Sequence, residues 1–313
     1  QWFRADKSGP CVDWVVFVPR HAKKPCPVIL HLNYKGNDLI ASGRTNHFLL
    51  PLGEFAARGY VFMSANYKQI SSDGPGRPGE PLDGVFALWG ARDPRRTDNT
   101  GAIMAWAWGL CRGLDLAEKI IEADASRSVV VGSSRLGKAA LLAAAFDERF
   151  SACVANQTGA VGVQLMKRDY GESIAAQRLV FPWWYCQGLW KWAGREREMP
   201  FDQHMLTAMV APRALLLLDN QSFDWLGEVP SNYCGNASLE VFKALGIEDN
   251  YTYAQKGGHN HCDLPQDHYD EVKAYVNAFL NESGTTKGKV ESFSSIAKWN
   301  KSEWIDWDTP TLR

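Results

Sequence analysis

Short aliphatic or β-branched runs alternate along this chain with longer stretches whose apolar residues recur at helical spacing. Val12–Val18 is a β-branched run closed by Pro19, and Pro27-Val-Ile-Leu-His-Leu-Asn33 is a continuous apolar run of the kind that fills a buried strand. Tyr60–Asn66, Arg127–Val131, Ala152–Ala155, Arg213–Leu218 and Asn250–Ala254 predict further strands. Across Gly101–Glu122, Met104, Trp108, Leu110, Leu114 and Ile120 recur with helical spacing, and Lys138–Phe146, His204–Val210, Ser238–Leu245 and His268–Leu280 also predict helices. Gly132–Gly137 reads as a turn. Residues 70–100, rich in Gly, Pro, Asp and Arg, predict a long loop, and residues 160–200 a loop with short helix.

Strands alternating with helices predict an α/β fold with a mostly parallel central sheet sandwiched between helices. No repeat, linker or shift of composition interrupts the pattern. Residues 1–313 are therefore expected to form one domain, with a polar tail over 283–313, carrying Trp299, Trp304 and Trp307, wrapped over its surface.

Charge and composition narrow the functional classes. Lys+Arg number 34 against 35 Asp+Glu, a net charge of −1, so the electrostatic footprint of a nucleic-acid binder is missing. The longest apolar runs, such as Val28-Ile-Leu30 and Leu215–Leu218, fall far short of the roughly 18 residues that span a bilayer. The 13 Trp residues suit either a large core or a surface that stacks on sugar rings. The seven cysteines are scattered with no Cys-x-x-Cys pair, so no thiolate metal site is expected. In an exported chain some would pair, Cys186 with Cys234 being one candidate. The chain opens at Gln1 without a signal sequence and reads as a mature or trimmed form.

The most informative segment is Val129-Val-Val-Gly-Ser-Ser-Arg-Leu-Gly-Lys-Ala-Ala140. A β-branched strand runs through a Gly-x-Ser turn into an alanine-rich helix, the setting of the nucleophile elbow in α/β-hydrolases, with Ser134 as nucleophile. The helix N-terminus adds backbone N–H groups able to hold an oxyanion. Lys256-Gly-Gly-His-Asn-His-Cys262 precedes the last helix, where this fold places its catalytic histidine, and both His259 and His261 qualify. The strand at 213–218 is followed by Asp219 and Asp224, either of which completes the chain order Ser, Asp, His.

The string Gly132-Ser-Ser-Arg-Leu-Gly-Lys138 resembles the Gly-x-Ser-Arg-x-Gly-Lys signature of the glucuronoyl esterases of carbohydrate esterase family 15. Ala211-Pro-Arg213, Asp224-Trp-Leu-Gly227 and Gly258-His-Asn-His-Cys262 also resemble family motifs. The resemblance extends over roughly residues 10–282. It implies that Ser134 is the nucleophile, that Arg135 helps hold the oxyanion and that His261 is the base. It further implies that Lys138, Trp225 and Glu172 contact the glucuronate ring. The implied reaction cleaves esters between (4-O-methyl-)glucuronic acid branches of glucuronoxylan and lignin alcohols, with no metal or organic cofactor, by a secreted enzyme expected to be a monomer.

The sequence departs from the family in two places. Where many members place a catalytic Glu, this chain has Gln157, which cannot ionise; some bacterial members use an acid after a later strand, and Asp224 fits that position, with Asp219 in reserve. Fungal members bridge a cysteine before the nucleophile to the one after the histidine; Ser133 removes that partner from Cys262. Two alternatives follow: an acetyl or feruloyl xylan esterase using the same residues, and a non-catalytic carbohydrate-binding protein on a hydrolase scaffold.

Overall fold

The computed structural model describes residues 1–43, 52–74, 83–89, 96–280 and 288–310. Among these, eight strands form one sheet: β1 (Trp14–Phe17), β2 (Cys26–Asn33), β3 (Val61–Asn66), β4 (Ala123–Ser133), β5 (Ala152–Asn156), β6 (Ala214–Asn220), β7 (Tyr251–Lys256) and β8 (Lys289–Ser292). Their order is β1-β3-β2-β4-β5-β6-β7-β8. β1 runs antiparallel to β3, and every other pairing is parallel. The described helices are α1 (Asn37–Ala41), α2 (Leu52–Ala57), α3 (Ala102–Ala117), α4 (Ser134–Phe146), α5 (Ile174–Val180), α6 (Gln203–Ala208), α7 (Glu228–Ala244), α8 (Gln266–Leu280) and α9 (Lys301–Trp304). This is the predicted α/β-hydrolase architecture.

Successive side chains of a strand face opposite sides, and that period sorts the core into two layers. Val28, Leu30, Val130, Cys153, Leu215 and Leu217 pack with α3, α4 and α7. Ile29, Val129, Val131, Val154, Leu216 and Leu218 pack with Phe55 of α2 and with Val272, Tyr275 and Val276 of α8. Each such fully buried aliphatic side chain contributes about 1.5–3 kcal/mol. No described helix is long and apolar enough to cross a membrane.

The differences from the predicted elements have local causes. α7 begins at Glu228, well before Ser238, because its two apparent breakers are accommodated. Pro230 lies in the first turn, where its missing N–H leaves no bond unmade. Gly235 lies against Tyr253, whose Cγ an added Cβ would meet at 2.5 Å. The tail is more than a surface wrap: Lys289–Ser292 joins the sheet beside β7. Of the long loop, residues 75–82 and 90–95 lie outside the described residues, and Gly84–Leu88 forms a 3-10 turn. All seven cysteines are free thiols, so the Cys186–Cys234 pairing is not made; Cys234 is buried in α7.

Candidate active site

The C-terminal ends of the parallel strands converge on one crevice, where open α/β sheets place their sites. β4 passes directly into α4 at Ser134, so the predicted Gly132–Gly137 turn is a strand end followed by the first turn of a helix. Ser134 takes a left-handed backbone, φ 55, which a non-glycine residue holds only when its surroundings impose it. The flanking glycines are there for space. A Cβ on Gly132 would meet the Leu136 carbonyl oxygen at 2.0 Å, and one on Gly137 would meet Thr158 Cγ2 at 2.9 Å. The Tyr34 hydroxyl donates to the Ser133 carbonyl at 2.7 Å and braces the elbow from β2.

Ser134 Oγ lies 2.9 Å from His261 Nε2. The imidazole, on the loop after β7, packs edge-on against Trp225 at 4.7 Å between ring centroids. Its Nδ1 lies 3.2 Å from Oε1 of Gln157, the first residue past β5. That oxygen also accepts from the Cys262 backbone N–H at 2.9 Å and from Asn220 Nδ2 at 3.3 Å, while Gln157 Nε2 donates to the Asp263 carbonyl at 2.9 Å. A backbone N–H can only meet the oxygen, so these contacts set the amide's orientation. Nδ1 of His261 then carries the ring proton, and the Nε2 lone pair faces the serine hydroxyl. Burial, with the nearby charges of Lys138 and Arg135, holds the His261 pKa down to about 4. The arrangement can therefore take a proton from Ser134 across the neutral range.

Among the described residues no carboxylate is hydrogen-bonded to the imidazole, and the structure does not bring the expected Asp224 to it. Asp224 opens the 3-10 turn Asp224–Leu226, is exposed, and its side chain makes no hydrogen bond among the described residues. The same turn brings its neighbour Trp225, not the aspartate, against His261. The reserve candidate Asp219 is buried and bonded to its neighbour's backbone, Asn220 N–H, at 2.9 Å, with Tyr253 Oη 3.5 Å away. Burial pushes its carboxyl up to about 7. His259 turns its Nε2 to the Lys256 carbonyl, 3.1 Å away, and Nδ1 lies 3.2 Å from Asn220 Nδ2, leaving His261 alone on the serine.

Ser134, Arg135, Lys138, Glu172, Trp225 and His261 line one cavity of about 530 Å³, within the range of small-molecule sites. The sequence analysis singled out all six. Lys138 is 5% exposed and forms no hydrogen bond or ion pair among the described residues. Burial lowers its pKa to about 8, against the opposing pull of Glu172. Glu172, itself raised by burial and checked by Lys138, accepts from Gln177 Nε2 at 2.7 Å. Lys138 Nζ lies over the Trp184 ring at 5.3 Å, so a buried cation with no hydrogen bond among the described residues stands beside a carboxylate, a setting suited to a polar ligand.

Sequence reasoning missed Asp73. Its carboxylate pairs with Arg135 Nη1 and accepts from Trp184 Nε1 at 2.8 Å, Trp183 Nε1 at 3.1 Å and the Tyr67 hydroxyl at 3.0 Å. Burial pushes its pKa up, but the Trp184 indole and the Arg135 charge, with the other donors, outweigh burial and hold it below the usual carboxylate value. Arg135 thereby lies over the Trp184 ring at 4.9 Å, and its Nε–H is buried with no partner. An aspartate in a glycine-rich loop gives no local sign of indoles more than a hundred positions away.

The family model described as glucuronyl esterase, fungi, matches residues 15–246. The 4-O-methyl-glucuronoyl methylesterase 1 of Phanerochaete chrysosporium is 34% identical over 222 residues, 67% of this chain and 47% of that protein. The 4-O-methyl-glucuronoyl methylesterase of Neurospora crassa is 33% identical over 224 residues, 68% of this chain and 56% of that protein. The chain thus spans about half the length of these curated relatives. The glucuronoyl esterase catalytic domain from Hypocrea jecorina superposes with a TM-score of 0.77 at 28% identity, covering 96% of this chain and 78% of that one. A mutant glucuronoyl esterase from Sporotrichum thermophile, in complex with methyl 4-O-methyl-beta-D-glucopyranuronate, gives a TM-score of 0.77 at 26% identity, covering 96% and 77%.

Proposed function

This chain belongs to the glucuronyl esterase family, and from that membership we propose that it hydrolyses the ester between a (4-O-methyl-)glucuronic acid branch of xylan and an alcohol. Lignin alcohols are the natural leaving groups in this reading, and the enzyme acts as a secreted monomer, outside the cell, where that material lies. The observation that carries it is the 2.9 Å Ser134–His261 contact opening onto the cavity in which Lys138 is buried with no hydrogen bond or ion pair among the described residues.

In this mechanism Ser134 Oγ attacks the ester carbonyl while His261 Nε2 takes its proton. Negative charge develops on the carbonyl oxygen. The buried, unpaired Nε–H of Arg135 and the backbone N–H groups at the start of α4 receive it. The imidazolium then protonates the departing alcohol. Water, deprotonated by the same nitrogen, hydrolyses the glucuronoyl-enzyme. Lys138 and Glu172 bond the ring hydroxyls, and Trp225 covers an apolar C–H face of the sugar. Asp224 has no part in these steps, and Gln157 orients the base in place of an acid.

Release of benzyl alcohol from benzyl glucuronate, with 4-nitrophenyl acetate as control, tests substrate class. Lys138→Ala is expected to lower kcat/KM for the glucuronate ester about 10- to 100-fold, mainly through KM, since a charge-assisted hydrogen bond contributes about 1.5–3 kcal/mol. The acetyl ester should be hydrolysed equally well by both proteins. An equal loss on both esters would make Lys138 structural and move the assignment to an esterase of other specificity.

Gln157 carries a second expectation. A carboxylate on Nδ1 would stabilise the imidazolium that forms in the transition state, so Gln157→Glu should raise kcat about tenfold. It should also raise the His261 pKa from about 4 by about one to three units, moving the acid limb of kcat/KM upward by as much. The sign follows from the base being active only when neutral: the variant gains at pH 8 and loses that gain near pH 5. A pH profile with an unchanged acid limb would show that Gln157 does not govern the base.

A further inference from the structure

A second cavity, of about 870 Å³, lies between α6 and the tail segment that carries α9. It shares no lining residue with the catalytic cavity. Its size suits two or three sugar rings, by comparison with sites of about 300–1,000 Å³ for small ligands.

Its chemistry is polar and unfinished. His204 is 8% exposed and its Nδ1 has no partner among the described residues; Trp304 Nε1 is likewise buried and unpaired. Buried groups left unpaired are few in folded proteins, and their gathering at one cavity points to a ligand that supplies donors and acceptors. Burial lowers the His204 pKa, which keeps the imidazole neutral, with one donor and one acceptor nitrogen.

Three cations, Lys167, Arg168 and Arg197, line the cavity and form no ion pair among the described residues. Of the acids there, Asp202 is 3% exposed and its carboxylate is spent on the backbone N–H groups of Met166, Lys167 and Gln203. Glu303 accepts from Asn300. Asp306 is exposed and its side chain makes no hydrogen bond or ion pair among the described residues. Trp307 and Trp304 complete the wall, Trp304 backed by Tyr233 at 5.5 Å and Trp307 by Lys301 Nζ at 5.4 Å. An indole face matches the apolar C–H face of a sugar, and the cations match a carboxylate. A third cavity, of about 450 Å³, shares Lys167, Arg168 and Arg197 with this one and Glu172 with the catalytic cavity, so it adjoins both; Asp169, Glu196 and Glu198 also line it.

We propose that this tail cavity is a second carbohydrate site, which binds a free uronate branch of an acidic xylan through Lys167 and Arg197 and its sugar rings through Trp307. The choice of xylan rests on the function proposed above; the preference for an acidic over a neutral polysaccharide does not.

Affinity electrophoresis of the full chain carrying Ser134→Ala, in gels containing soluble glucuronoxylan or a neutral arabinoxylan, tests it. The protein is expected to be retarded by glucuronoxylan more than by arabinoxylan. Adding Lys167→Ala with Arg197→Ala, or Trp307→Ala, should weaken that retardation about tenfold, the equivalent of one charge-assisted hydrogen bond. In the wild-type background the same substitutions should leave kcat and KM for benzyl glucuronate unchanged, which also shows that they fold. Retardation unchanged in both variants, or equal in the two polysaccharides, overturns the proposal. Should no protein hydrolyse benzyl glucuronate, the catalytic reading fails while the gels still decide this one, with circular dichroism as the folding control.

Discussion

Ser134→Ala should lower kcat for benzyl glucuronate by at least about 10⁴-fold, because its hydroxyl is the nucleophile hydrogen-bonded to the base. Among the described residues His261 Nε2 has one side-chain partner, Ser134 Oγ, at 2.9 Å, and its other nitrogen is occupied by Gln157. Without the hydroxyl, the oxyanion donors and the ring-binding residues still hold the substrate, so KM should change little. His261→Ala should cost about as much, and the double variant no more than either single one, since nucleophile and base act as a unit. Ala adopts the strained φ of 55 no better than Ser, and the lost hydroxyl borders a cavity, so the melting temperature should stay within a few degrees. Activity in Ser134→Ala above about a tenth of wild type would remove the serine from the mechanism.

The second large effect is expected at Asp73, which touches no substrate. Asp73→Ala should lower kcat by about 10²–10³-fold, the loss that follows removal of an oxyanion donor. Arg135 is aimed by that carboxylate from one side and by the Trp184 ring from the other. Losing the carboxylate frees the guanidinium and leaves two buried indole N–H groups unpaired. Stability should fall as well, by about 3–5 kcal/mol, as when one partner of a buried ion pair is deleted. Asp73→Asn separates the two roles. Its amide oxygen still accepts from an indole, so most stability should return, but it carries no charge for Arg135, so kcat should stay depressed with KM nearly unchanged. Full recovery of kcat in Asp73→Asn would reduce Asp73 to a structural residue. Kinetics on benzyl glucuronate alongside a thermal melt read both quantities.

Much of the fold was legible because it rests on local periodicity. The runs at 27–33, 60–66 and 213–218 are strands wherever they are placed, since both faces of each must be buried. Boundaries were less legible where a partner decides them. β4 reaches back to Ala123 because it pairs there with Cys26 of β2, and Lys289–Ser292 becomes a strand because β7 offers it an edge.

The site divides along the same line. Ser134 was readable because a strand, a small-residue elbow and a helix are contiguous in the chain, and only small residues fit that turn. The choice of His261 over His259, and the roles of Arg135, Lys138, Glu172 and Trp225, followed from the family resemblance, and the structure brings all five to the same cavity. The partner of the imidazole was not readable. Asp224 and Gln157 lie on different loops, and which of them meets Nδ1 depends on how the ends of β5 and β6 converge in space. Asp73 was invisible for the same reason, as three of its four donors, Arg135, Trp183 and Trp184, come from distant segments. The sequence by itself determined the α/β architecture and the elbow that carries Ser134, because those follow from periodicity and sterics within a few residues. Only the tertiary structure decided what orients the base and what aims the arginine, because hydrogen bonds between distant loops depend on the packed positions of the strands that carry them.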